Sequence, residues 1–316
     1  MHIEEIFSSQ LPVGEVLSIK RGRYEPLKKT VKPKRISIVS GIHGDELEGQ
    51  YVIYLLAQWL NENSSCIHGI IDLYPAVNAL GIDSITRGFP LYEVDLNRSF
   101  PGTKHGYLPG QLVDALTDNV KGSDIAIDIH SSNIFLREIP QIRINKEFSP
   151  STLPLAKELN CDFIWIHDAV TVLEATFSHT LNTLGTKTLV VEMGVGMRLT
   201  KEYGLQLLHG ILNLMKKEGI IVTDEEFTVR KPFSSEVGDV YYLNSPTSGL
   251  FVPALDHCDI IQKGAVIGTI VNPINGSILA TLLAPNKGIL FTLREYPIVY
   301  EGSLIARIFG STHEKN

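Results

Sequence analysis

Apolar runs and helical apolar stripes alternate over the first two thirds of the chain. A short β-branched run at residues 36–40 is followed by Val52, Leu55, Leu56, Trp59 and Leu60. Their spacing places these five on one face of a helix. Further apolar runs at residues 70–74, 125–129, 163–166 and 188–192 predict strands. Between them, Leu112, Leu116 and Val120 predict one helix, and Leu205, Leu208, Leu212 and Met215 another, which Gly219 ends. Strands alternating with amphipathic helices predict an α/β fold.

From about Phe233 the texture changes. Short β-type runs at residues 239–243, 249–252, 266–271, 277–282, 288–292 and 304–308 are separated by glycines, prolines and other turn residues. Helical periodicity is lost there, and the spacing of the turns predicts a compact all-β unit. The expected division is therefore 1–232 for a catalytic-type α/β domain and 233–316 for a smaller β-rich domain, with Lys231-Pro232 as the joint. A chain of 316 residues accommodates one large or two unequal domains. Internal repeats and low-complexity tracts are absent from the sequence.

An apolar fraction of 44% and a charged fraction of 20% are those of an ordinary soluble globular protein. A formal net charge of −7 argues against nonspecific nucleic-acid binding, which needs basic surface against phosphates. It leaves room for a small anionic ligand in a locally positive pocket. No apolar run approaches the roughly 18 residues of a membrane span. The opening Met1-His2-Ile3-Glu4-Glu5 lacks the basic start and apolar stretch of a signal peptide, so the expected compartment is the cytoplasm. Cys66, Cys161 and Cys258 are scattered, odd in number and without a CxxC pair. They support neither a disulfide framework nor a thiolate metal site.

Candidate chemistry concentrates at strand ends. His43 and Glu46 follow the run at 36–40, and His130 closes the run Ile125-Ala126-Ile127-Asp128-Ile129. Open α/β sheets bind ligands beyond the carboxyl ends of their strands, where all three residues fall. Two imidazoles and one carboxylate, with a position left for water, are the protein ligands of a catalytic zinc. In Asp95-Leu96-Asn97-Arg98, Arg98 offers a forked contact to a substrate carboxylate that lysine does not match. Asp95 suits the second nitrogen of a metal-bound histidine, whose tautomer it would fix. Glu192 ends the apolar strand at 188–192 and enters the glycine-containing turn Met193-Gly194-Val195-Gly196. That placement suits a general base that takes a proton from water.

The ordered set His43-x-x-Glu46, Asp95-Leu96-Asn97-Arg98, Asp128-Ile129-His130 and Glu192-x-Gly194 resembles the aspartoacylase/succinylglutamate desuccinylase family of zinc carboxypeptidase-like deacylases. The resemblance runs over nearly the whole chain. It implies a zinc carboxypeptidase-like mixed sheet flanked by helices, with a smaller C-terminal all-β domain. One zinc per chain would be held by His43, Glu46 and His130, with Asp95 behind the first histidine. Glu192 matches the family's general base, and Asn97 with Arg98 the pair that grips the substrate carboxylate. Arg87, in Thr86-Arg87-Gly88, falls where the family often carries an oxyanion-stabilising arginine. A further arginine often binds the far end of an acidic substrate, a role open here to Arg143 or Arg137.

The implied activity is hydrolysis of a small N-acylated substrate that carries a carboxylate, without nucleic acid or membrane as partner and with room for a homo-oligomer. A carboxypeptidase acting on peptides uses the same ligand set. A metal-binding or carrier-type module without activity is the reading from another class, though no Met-Lys-Met setting supports it. The other histidines, His2, His68, His105, His167, His179, His209, His257 and His313, lack ligand spacing and read as surface or structural residues. His105 is the exception to keep in view, because its glycine-rich loop follows the Asn-Arg pair.

Overall fold

The computed structural model describes residues 1–28, 32–168 and 174–311; His313 lies outside them. Seventeen strands and six α-helices are named in chain order. The strands of the first part are β1 (His2–Gln10), β2 (Val16–Tyr24), β3 (Arg35–Ser40), β4 (Ile70–Tyr74), β5 (Ile125–Ser131), β6 (Leu136–Asn145), β7 (Phe163–His167) and β8 (Lys187–Gly194). The helices are α1 (Glu48–Glu62), α2 (Ala79–Ser84), α3 (Leu108–Val120), α4 (Ser149–Ala156), α5 (Phe177–Thr183) and α6 (Lys201–Lys217). After them come β9 (Phe233–Ser234), β10 (Gly238–Asn244), β11 (Gly249–Pro253), β12 (Ile260–Ile261), β13 (Val266–Val271), β14 (Ile278–Leu283), β15 (Gly288–Arg294), β16 (Ile298–Val299) and β17 (Leu304–Ser311). Among the described residues no helix is long and apolar enough to cross a membrane.

The large sheet is mixed, in the order β1-β2-β4-β3-β5-β8-β6-β15-β17-β10. Its centre, β4-β3-β5-β8, is parallel. These strands are buried on both faces, which is why they read as near-continuous apolar runs. Alternation sorts their side chains. Ile125, Ile127 and Ile129 join Ile36, Ile38, Val52, Leu56 and Leu60 in one core beneath α1 and α6. Ala126 faces the other way, into a core with Leu112, Leu116, Val120, Phe177 and Leu181 from α3 and α5. By the same period of two, Asp128 and His130 share the face of Ala126.

Two expected stripes need correction at their edges. Leu55 and Trp59 are only partly buried beside the α1 core. In α6 the buried face is built on Leu207, Leu208, Ile211, Leu212, Leu214 and Met215, while Leu205 is left 46% exposed.

The β1–β2 hairpin and β6 are not marked by apolar runs. β1 carries polar residues along a mostly exposed edge. β6 contains Arg137, Glu138, Gln141, Arg143 and Pro140. Proline has no N–H to give to a ladder, and the pairing of β6 with β8 shifts register between Glu138 and Gln141, across Pro140. On its other edge β6 pairs first with β15 (residues 136–138) and then with β7 (residues 141–145). The C-terminal strands β15, β17 and β10 thereby continue the large sheet. β14-β13-β11-β16 form a separate four-stranded antiparallel sheet. Phe251, Ile267, Ile270 and Leu282 of that sheet pack against Leu290, Ile305 and Ile308.

Candidate functional site

Three elements bring the candidate ligands together. His43 and Glu46 lie on the turn between β3 and α1. His130 lies near the end of β5, in register with Glu192 on β8. One ligand atom from each of His43, Glu46 and His130 falls within 4.8 Å of the others, and all three residues are buried. The turn is tight. A Cβ on Gly44 would meet the Gly81 carbonyl carbon at 2.1 Å, so a side chain there is excluded. The Gly44 N–H donates to the Arg87 carbonyl oxygen at 3.2 Å. Asn78, which caps α2, donates to the Gly88 carbonyl oxygen at 3.0 Å and so fixes the Arg87 segment beside His43.

Each imidazole is flanked by carboxylates on both nitrogens. His43 Nδ1 is 2.9 Å from Glu46 Oε1 and its Nε2 is 3.0 Å from Asp95 Oδ1. His130 Nδ1 is 2.8 Å from Glu46 Oε2 and its Nε2 is 2.9 Å from Asp128 Oδ2. Arg87 donates to Glu46 Oε1, and the Ser131 N–H donates to Glu46 Oε2 at 3.2 Å. Burial favours neutral imidazoles, but the charge of Glu46 and the bond to Asp95 hold His43 above its usual pKa. Asp128 and Glu46 overcome burial in the same way and hold His130 well above the usual value. Burial is likewise overcome at Glu46, whose pKa lies well below the carboxylate range because of His43 and His130.

The donor set fits a divalent metal. Glu46, Asp95 and Asp128 bring three negative charges to a buried site where Arg87 supplies a single positive one. Without a metal the two raised histidines carry protons that balance this charge. A dication held by His43, Glu46 and His130 would take the place of those two protons. Each Nε2 would then donate to its aspartate, as is usual for metal-bound histidines.

A cleft of about 180 Å³ opens over these residues. His43, His130, Arg87, Asn97, Arg98, Arg143 and Glu192 all line it. Asp95 begins the turn Leu96–Arg98 and accepts from the Asn97 N–H at 2.8 Å. Asn97 Oδ1 accepts from the Phe177 N–H at 2.9 Å, which ties the turn to the start of α5. Arg98 is exposed and donates to the Asn97 carbonyl oxygen. Thr188, Val190 and Glu192 occupy successive same-side positions of β8 and line the cleft together. Burial outweighs Arg143 and His130 at Glu192 and pushes its pKa up to about 7.

Arg143 lies in the cleft wall with its guanidinium already engaged. It donates to Glu192 Oε1 at 3.0 Å and to Glu138 Oε2 at 2.7 Å. Arg307, from β17, donates to the other Glu138 oxygen at 2.7 Å. The indole of Trp165 sits against both guanidinium groups, 5.6 Å from Arg143 and 5.4 Å from Arg307. Arg137 does not line the cleft, and neither does the exposed His105. His167 and His179, expected to be surface or structural residues, do line it.

Sequence reasoning missed five site residues. Asp128 had a usable signal, since it precedes His130 by two positions on one strand. His167 and Asn145 are register partners on β7 and β6, and only strand order puts them in the cleft. Glu138 and Arg307 carry no local signal at all.

Residues 32–217 match the model of the succinylglutamate desuccinylase/aspartoacylase catalytic domain. The chain is 24% identical over 280 residues to N-alpha-acetyl-L-2,4-diaminobutyric acid deacetylase of Halomonas elongata, covering 87% of this chain and 78% of that protein. Its fold is that of the product-bound ectoine utilization protein EutE (DoeB) from Ruegeria pomeroyi, with a TM-score of 0.81 at 18% identity over 96% of this chain and 93% of the other. It is similarly that of a succinylglutamate desuccinylase/aspartoacylase from Rhodobacter sphaeroides, with a TM-score of 0.78 at 23% identity over 94% and 90%.

Proposed function

The chain belongs to the succinylglutamate desuccinylase/aspartoacylase family, and from that membership and its site we propose a zinc-dependent hydrolase that cuts the amide of a small N-acyl amino acid. The observation that carries this reading is the convergence of His43, Glu46 and His130 beneath a cleft that also holds Glu192. The Halomonas relative is a deacetylase by name, which supports amide cleavage.

His43, Glu46 and His130 would hold the zinc, with Asp95 and Asp128 orienting the two imidazoles. Bound there, zinc supplies Lewis acidity that brings the pKa of water from 15.7 to about 7. Glu192 takes the proton of the attacking water and returns it to the leaving amine. A carboxyl tuned to about 7 suits both transfers near neutral pH. Arg143 holds Glu192 by one oxygen, which fixes the direction in which the carboxylate faces the cleft. Arg87 stabilises the negative charge that grows on the amide oxygen. Asn97 and Arg98 hold the substrate carboxylate and thereby set the distance of the scissile amide from Glu192.

We assign residues 1–232 as the catalytic domain. The region 233–316 braces the wall through Arg307. The working compartment on this reading is the cytoplasm.

The test is a turnover screen of the zinc-loaded protein over N-acetyl, N-succinyl and N-formyl amino acids, with a chelator control and short peptides alongside. Chelator-sensitive release of an amino acid supports the reading. Preferential cleavage of peptides would replace it with a carboxypeptidase.

A further inference from the structure

Resting on the hydrolase reading above, we propose that the cleft takes substrates with a single carboxylate and a hydrogen-bond donor at the far end, and turns away those with a second acidic group. The argument is a count of available cations. Three arginines line the cleft. Arg87 is paired with Glu46. Arg143 is paired with Glu138 at 2.7 Å and with Glu192 at 3.0 Å. Among the described residues Arg98 has no ion pair, and its guanidinium donates to the Asn97 carbonyl oxygen. One unpaired cation matches one carboxylate.

A second carboxylate would therefore have to find neutral donors, and two polar residues of the wall, Asn182 and Thr188, have theirs engaged. Both amide hydrogens of Asn182 are spent on the carbonyl oxygens of Ser178 and Thr188, each at 2.9 Å. Its oxygen accepts from the Thr188 N–H at 3.0 Å. Thr188 Oγ1 donates to the Thr186 carbonyl oxygen at 2.9 Å.

His167 gives this wall its sign. Its Nδ1 is 3.2 Å from the Asp168 carbonyl oxygen, an atom that only accepts, so Nδ1 carries the proton. Burial, with the nearby Arg143 charge, lowers its pKa and keeps the ring neutral. The remaining nitrogen, Nε2, then carries a lone pair. A lone pair in the cleft wall attracts an N–H or O–H and repels a carboxylate. Displacing Glu192 to make room on Arg143 for a second acid would break their 3.0 Å ion pair and remove the proposed base.

The test uses isosteric pairs: N-acetylglutamine against N-acetylglutamate, N-acetylasparagine against N-acetylaspartate, and N-succinamoyl against N-succinyl derivatives of one amine, with the N-acetyl derivative alongside. Binding is measured by calorimetry on the zinc-loaded protein with analogues in which a methylene replaces the scissile amide N–H, and turnover of the parent compounds is measured separately. The amide or acetyl member should bind at least about tenfold more tightly, since unpaired buried polar groups discriminate strongly. Equal or tighter binding of the acidic members overturns the inference. Turnover decides the hydrolase reading independently, because the affinities are read on analogues that are not cut. As a second arm, His167→Lys should shift the glutamine-to-glutamate affinity ratio toward glutamate by about tenfold, and an unchanged ratio removes His167 from the selection.

Discussion

Replacing Asp128 by asparagine isolates what a buried carboxylate does for His130, the proposed metal ligand it backs. Asp128 is 1% exposed and its Oδ2 lies 2.9 Å from His130 Nε2. Asparagine has nearly the same shape and keeps an oxygen to accept from Nε2–H, so the ring stays where it is. What disappears is one negative charge behind the imidazole, and with it part of the basicity of Nδ1. Loss of such a partner typically costs 10–100-fold in metal affinity, or about 1.4–2.7 kcal/mol. Asp95 is the internal control. It makes the equivalent contact to His43 at 3.0 Å, but its side chain is 31% exposed. Solvent screens that charge more, so Asp95→Asn should stay near tenfold. The assay is competition for zinc with a chromophoric chelator, with denaturant unfolding of the metal-free variants to show that the fold persists. If Asp128→Asn binds zinc as tightly as the parent protein, or if Asp95→Asn loses more, the assignment of His130 as a ligand backed by Asp128 is refuted.

Glu192→Gln should leave zinc affinity nearly unchanged and lower kcat by about 10²–10⁴-fold; retained turnover removes Glu192 from proton transfer. Arg98→Lys should raise KM by roughly tenfold or more with a smaller effect on kcat, since an ammonium does not reproduce the forked contact; an unchanged KM places the substrate carboxylate elsewhere. Gly44→Ala should disrupt the turn that carries His43 and Glu46, because the added Cβ meets backbone at 2.1 Å; a variant with parental zinc affinity and melting temperature contradicts the packing described. Asp72→Asn should cost about 2–4 kcal/mol in denaturant unfolding, a little under the ~3–5 of a fully buried pair, because Asp72 is fully buried between Arg23 and Arg35 at 2.7 Å each. Burial raises the Asp72 pKa, but the Arg23 bond and the charges of Arg35 and Arg21 lower it by more. The folded value lies below the unfolded one near 3.9, so this stabilisation is complete above that pH and fades as pH falls through the folded value. A variant whose acid unfolding matches that of the parent contradicts this.

The cluster of His43, Glu46 and His130 was legible in the residues themselves. A β-branched run ending in His43-x-x-Glu46, and a second run ending in His130, put three donors at strand ends because strand periodicity and the open-sheet rule are local and general. The α1 and α3 faces followed from the 3.6-residue period in the same way, and the all-β texture after residue 233 from its turn residues. The β1–β2 hairpin and β6 escaped because one is an exposed edge and the other mixes charged residues with Pro140, so neither shows an apolar run.

Partnerships across the sheet were decided by tertiary structure alone. Periodicity tells which side of a strand a residue occupies, and nothing about which strand lies next to it. That Arg143 is committed to Glu138 and Glu192, that Arg307 reaches the same glutamate from near the far end of the chain, and that His167 stands in the cleft all depend on β6 lying between β8 on one edge and β7 and β15 on the other. The sequence by itself determined the kinds of donor this protein presents at its strand ends. Strand order decided which charges cancel, because electrostatic pairing depends on distance in space, and that distance is set only when the sheet closes.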